Sequence, residues 1–133
     1  MSEELGDFSM LELFRLEVEN QAVILSDGLL ALEQDAQNAK QLEALMRAAH
    51  SIKGAARMVD VESGVRLAHV MEDCFVLAQK GELILQPAHI DLLLKGVDQL
   101  IAVSHQSGDD NLLATLCDQI RNTGQQHAAP EGA

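Results

Sequence analysis

The stretch Asn38-Ala-Lys-Gln-Leu-Glu-Ala-Leu-Met-Arg-Ala-Ala-His-Ser-Ile-Lys-Gly-Ala-Ala-Arg-Met-Val59 carries the period that decides the architecture. On a helical wheel with His50 at zero, Leu45, Ala48, Ile52, Ala55 and Val59 all fall within about 40° of the opposite pole. An apolar stripe of that kind must be covered, and the rest of the chain supplies matching stripes. A first segment, from about Ser9 to Glu33, steps through Leu11, Phe14, Val18, Ala22, Leu25, Leu29 and Leu32. A third runs from about Glu62 to Gln79 and is closed by Gly81, a suitable residue just past a helix end. The fourth opens at Pro87, an acceptable first helical position, and continues through Ile90, Leu93, Val97, Leu100 and Ile101. The fifth, Asp110 to Arg121, is shorter.

Helices joined by short loops predict an all-α fold: an antiparallel up-down four-helix bundle with an additional C-terminal helix. The connector Gly81-Glu-Leu-Ile-Leu-Gln86 is too short for a helix and apolar enough to tuck against the bundle. Residues 1–8 are expected to be a flexible N-terminus and residues 9–122 the bundle domain. Residues 123–133 lack periodicity and have the composition of a linker, as at the edge of a domain cut from a longer chain.

The 133 residues include 21 Asp plus Glu against 9 Lys plus Arg, a formal charge of −12. With Phe8, Phe14 and Phe75 as the aromatic residues, the chain has neither the basic footprint nor the stacking platforms of a nucleic-acid binder. The acidic start is unlike a signal peptide, and no apolar run approaches the roughly 18 residues needed to span a bilayer. A cytoplasmic protein without membrane insertion is expected. Cys74 and Cys117 lie among apolar residues without a ligand pattern and read as buried reduced thiols. No Gly-x-Gly occurs, so no phosphate-cradling nucleotide loop is present and the chain is expected to bind no ATP itself.

His50 faces away from the apolar stripe, with Glu43, Arg47, Lys53, Gly54 and Arg57 around it. Two features there are unusual. Glycine inside an exposed helix costs about 1 kcal/mol relative to alanine, so Gly54 needs a reason, such as close approach by another molecule. Arg47, Lys53, Arg57 and Arg66 are four of the nine basic residues of an acidic chain, gathered in one short stretch. An imidazole with an ordinary pKa near 6.5 is mostly neutral in the cytoplasm, and its free nitrogen is a nucleophile. Adjacent cations would offset the charge of a transferring phosphoryl group. On the third segment His69 and Glu72 stand at i, i+3 on the polar side, where a neighbouring antiparallel helix would meet His50. A carboxylate there fixes the ring's tautomer and raises the basicity of the other nitrogen.

His50-Ser-Ile-Lys-Gly-Ala-Ala56 resembles the H-x-x-K-G-[AS]-[AS] motif of histidine-phosphotransfer domains. Arg66-Leu-Ala-His-Val-Met-Glu72, the Lys80-Gly-Glu-Leu-Ile-Leu85 connector and the following helix resemble the first domain of CheA-type chemosensory kinases, over about residues 9 to 122. The resemblance implies that His50 is phosphorylated, that Glu72 orients it, and that Lys53 and His69 complete the polar network. It further implies that Gly54 leaves room for a partner's active site. Beside it, the cations Arg47 and Arg57 and the apolar residues near His50, Met46, Met58 and the first-helix face, are expected to belong to the partner surface, unless the apolar ones are simply core. The domain would be a phosphoryl carrier, the phosphoacceptor part of a histidine kinase, with ATP and Mg²⁺ supplied by partner domains. Its partners would be a kinase ATP-binding domain and a response-regulator receiver domain. Leu11-Glu-Leu-Phe14, Ala48-Ala-His-Ser51 and Met71-Glu-Asp-Cys-Phe75 are similar to Wsp-type chemosensory kinases, which implies a receiver attached to a diguanylate cyclase and a role in biofilm formation. Arg57 after Ala56 departs from relatives that carry smaller residues there.

Two rival readings make different demands. A di-iron bundle uses Glu-x-x-His pairs facing inward, and no Glu stands three residues before any histidine, so no metal site is expected. A helical adaptor that docks signalling partners without covalent chemistry has no evident use for Gly54 beside a histidine. The low aromatic content and the lack of a sustained heptad seam predict a monomer.

Overall fold

A computed structural model describes the backbone of residues 2–128 and the side chains of residues 10–123. Five helices follow in order: α1 (Ser2–Leu32), α2 (Ala39–Met58), α3 (Glu62–Gln79), α4 (Pro87–Ser104) and α5 (Asp110–Ala128). No strand occurs among the described residues, so the fold is all-α. A Cβ added at Gly28 of α1 would lie 2.9 Å from Leu45 of α2, while Glu17 of α1 accepts a hydrogen bond from Ser51. Higher numbers on one helix meet lower numbers on the other, so α1 and α2 are antiparallel. His50 opposite Glu72 and Ala56 opposite Gly64 give the same result for α2 and α3. His105, capping α4, reaches Glu19 of α1 at 3.0 Å and helps close the four-helix ring. The fifth helix packs outside it, against α3 and α4.

The core is aliphatic, as the composition requires. Leu25, Leu45, Ile52, Leu67, Met71 and Leu93 are buried, with Phe75 among them. The buried stripe of α2 is wider than the wheel predicts. Ala49 and Ala56 are buried, while Ala55 and Val59 are half-buried at its edge, because α2 lies between α1 and α3. A Cβ at Gly64 would come 3.2 Å from Ala56 Cβ, so the α2–α3 crossing leaves room for glycine and alanine only. Leu83 and Leu85 are buried, and the connector is tucked as expected. Both cysteines are free and buried, and burial, with Asp73 adding to it, pushes the Cys74 thiol up to about 12.

The helix ends follow capping chemistry. Asn38 Oδ1 accepts from the Gln41 amide at 3.0 Å and starts α2. Pro87 is the first residue of α4. At the end of α3, Gly81 has φ +75°, its amide donates to Ala78 and the Glu82 amide donates to Leu77, a Schellman motif. The same pattern ends α2 and α4, but with Asp60 (φ 60°) and Gln106 (φ 59°) in the left-handed position.

Two boundaries differ from expectation. The backbone of α1 is helical from Ser2 rather than from about Ser9. The fifth helix continues past Arg121 to Ala128, through the start of the stretch that reads as a linker. Thr123 is buried with its hydroxyl donating to the Gln119 carbonyl at 3.0 Å, and the single Gly124 that follows costs about 1 kcal/mol, too little to stop a helix. Residues 129–133 of the expected tail lie outside the described residues.

Candidate functional site around His50

Burial of the Leu45, Ala49 and Ile52 side of α2 turns His50 to the surface, where 66% of its side chain is exposed. The short α2–α3 turn lays Glu72 against it. Glu72 Oε2 is 2.7 Å from His50 Nδ1, and Glu72 Oε1 is 2.6 Å from Lys53 Nζ. One carboxylate thus bridges two side chains that stand at i, i+3 on the facing helix. Glu72 and Lys53 are largely covered, 12% and 14% exposed, whereas the ring they hold is open.

Burial would raise the pKa of Glu72. The hydrogen bonds and charges of Lys53 and His50 outweigh it and hold the carboxyl below its ordinary 4.5. Glu72 is therefore ionised at neutral pH and can only accept hydrogen bonds, so a neutral His50 must carry its proton on Nδ1. The lone pair is then on Nε2. In that form the arrangement presents an oriented nitrogen nucleophile to solvent, backed by a negative charge that can stabilise a cationic ring.

The other predicted residues divide into those the site brings together and those it does not. Lys53 acts on Glu72 and has no direct bond to the ring. His69 does not join the network: its Nε2 pairs with Asp73 at 3.1 Å, the carboxylate one turn along its own helix. Arg47 pairs with Glu43 at 2.9 Å, while Arg57 and Arg66 line a recess at the α2–α3 turn together with Asp60 and Glu62. A Cβ at Gly54 would meet nothing within 4 Å, so no contact inside the domain requires glycine there. Met58 is 75% exposed, but Met46, expected at the surface, packs half-buried against the core. Among the described residues, no group of three or more His, Cys, Asp or Glu is arranged to hold a metal ion.

Sequence reasoning missed the Ser51–Glu17 hydrogen bond, which pins α1 to α2 beside His50. The partners are 34 residues apart, and no short-range period signals such a pairing. Next to that bond, where Met58 meets the first-helix face, lies an apolar recess of about 350 Å³ lined by Met10, Leu13, Phe14, Ala55 and Met58.

The Hpt domain model matches residues 9–103. Among curated proteins, the chain is 30% identical to the chemotaxis protein CheA of Borreliella burgdorferi over 71% of its own length and 11% of that protein's. It is 30% identical to the sensor histidine kinase CheAY of Helicobacter pylori over 86% of the chain and 13% of that protein. The figure is 34% for the CheA of Salmonella typhimurium, over 74% of the chain and 14% of the relative. The chain thus spans only a small part of the relatives' length. A crystal structure of the phosphorylated P1 domain of CheA3 in complex with CheY6 from R. sphaeroides has the same fold, with a TM-score of 0.77 over 89% of this chain and 97% of that one, at 21% identity. No helix among the described residues is long and apolar enough to cross a membrane. The matched stretch takes in all of α2 and α3 and nearly all of α4, so the helices that hold His50 and Glu72 are the family's own, and the chain belongs to the Hpt domain family.

Proposed function

We propose that His50 is the phosphoryl acceptor and donor of this domain. The observation that carries the reading is the exposed Nε2, free because Nδ1 is tied to an ionised Glu72. In the forward step the Nε2 lone pair attacks the γ-phosphorus of ATP, the N–P bond forms and the bond to the ADP oxygen breaks. The ring keeps its Nδ1 proton and becomes cationic, with Glu72 beside it. In the second step a receiver aspartate oxygen attacks the same phosphorus and the N–P bond breaks, restoring the neutral ring. ATP and Mg²⁺ come with a kinase ATP-binding domain, and positioning in both steps is the partner's task.

The similarity to CheA proteins supports a CheA-like kinase as donor, and the likeness to a P1 domain solved with CheY6 supports a receiver as acceptor. The Wsp-like stretches favour a receiver joined to a diguanylate cyclase. Gly54, one turn beyond His50 and free of internal contacts, leaves both partners a close approach, with Arg57 and Met58 at the rim. The reading puts the domain in the cytoplasm, where ATP is available.

The test is intact-mass and acid-stability analysis after incubation with a CheA-type kinase core, ATP and Mg²⁺. Wild type gains one acid-labile phosphoryl group and His50→Gln, with an unchanged circular dichroism spectrum, gains none. Labelling retained in His50→Gln would remove His50 from the reaction. No adduct in wild type with matched kinase cores or a small-molecule phosphoryl donor would leave a helical adaptor as the better reading.

A further inference from the structure

The first helix is apolar on two sides. Its inner stripe, Phe14, Val18, Leu25, Leu29 and Leu32, is buried. On the outer side Leu13 is 63% exposed, Leu16 48%, Val23 59% and Leu30 51%. Leu16, Val23 and Leu30 recur every seventh residue, and Leu13, Asn20 and Asp27 precede them by three, all six exposed. That is the spacing of a coiled-coil seam, interrupted by polar groups at two of its six places. The seam extends away from His50: Glu17 is level with Ser51 and Gly28 with Leu45, so Val23 and Leu30 lie toward the α1–α2 loop.

The charge around the seam selects its occupant. Between residues 10 and 32 the helix carries Glu12, Glu17, Glu19 and Asp27 against Arg15 alone, with Glu33 just past its end, and Arg15 is already 3.3 Å from Glu12. A second copy of the chain would set carboxylates against carboxylates, and an anionic lipid surface meets the same repulsion. We propose that the outer face of α1 binds an amphipathic helix of a protein partner, apolar along one stripe and rich in Lys or Arg on its flanks, with an amide or basic group opposite Asn20 and Asp27. The proposal is independent of phosphoryl chemistry at His50.

The test is an NMR titration of the isotope-labelled 133-residue chain with three synthetic helical peptides. One has a leucine seam and lysine flanks, one a leucine seam and glutamate flanks, and one a serine seam and lysine flanks. The expected result is saturable amide shifts confined to residues 13–31 with the first peptide alone. Affinity should fall about tenfold or more in Val23→Glu, whose His50 and Glu72 signals stay in place. The proposal is overturned if the first peptide gives no saturable shifts, if the serine peptide binds equally well, or if Val23→Glu binds like wild type. A wild-type chain that sediments as a dimer dispersed by Val23→Glu would also overturn it, in favour of self-association.

Discussion

Glu72 is held by Lys53 on one oxygen and His50 on the other, and its ionisation is therefore coupled to folding. Its folded pKa is depressed, so its contribution to stability is fully present above the ordinary carboxyl value and is lost as pH falls through the lowered one. Urea midpoints should show wild type ahead of Glu72→Gln by a constant margin above about pH 5, shrinking toward lower pH. In the same variant the tautomer is no longer fixed, and phosphorylation by a kinase core should slow about tenfold or more without vanishing. An unchanged rate would leave Glu72 a purely structural residue. Gly54 yields the opposite pairing of effects. With open space where a Cβ would go, Gly54→Ala should stabilise the helix by about 1 kcal/mol in urea denaturation while slowing transfer to and from partners. The His50–Glu72 pairing was readable from the sequence, because helix period and a short turn both bring these residues to the same groove. The place of His69 was not, since its choice between a neighbouring helix and Asp73 on its own depends on side-chain reach.

At the scale of the helices, all five were visible as periodic stripes, and their ends were visible only where residue type marks them. Gly81 announces its left-handed conformation; Asp60 and Gln106 adopt the same conformation without announcing it. They do so because the Schellman hydrogen bonds, Val61 to Ala56 and Ser107 to Ala102, satisfy carbonyls that would otherwise lack partners. A side chain in the left-handed region costs about 1 kcal/mol. Gly81→Ala should therefore lower stability by about that amount and Gln106→Gly raise it, both read as shifts in urea midpoint at constant slope. The extent of α5 escaped notice for another reason: Thr123 is buried, a tertiary circumstance that composition does not show. The outer apolar residues of α1 could not be told from core by period, since whether a leucine off the main stripe is covered depends on how the neighbouring helices pack.

Over the whole molecule, burial decides what is reactive. Cys74, pushed up to about 12, and Cys117, also raised by burial, are protonated in the native state, and the thiolate is the form that alkylates. Iodoacetamide at neutral pH should leave both unmodified in the folded protein and label both in urea, so the mass gain with time measures opening of the core. Rapid labelling of Cys74 without denaturant would show that the α3 packing opens locally. Of the bonded trio His50, Glu72 and Lys53, by contrast, His50 is the open member, 66% exposed against 12% and 14%. A histidine open to solvent on the surface of a helix pair must be enclosed by whatever cleft arrives over it, so encounter frequency enters the rate directly. For a kinase on a separate chain, that frequency follows concentration. Joined by a short flexible tether, the same kinase would meet His50 at an effective concentration in the millimolar range, falling roughly as the −3/2 power of tether length once the tether exceeds the span. Tether length would then set how quickly the relay responds, with no change to any residue of the bundle.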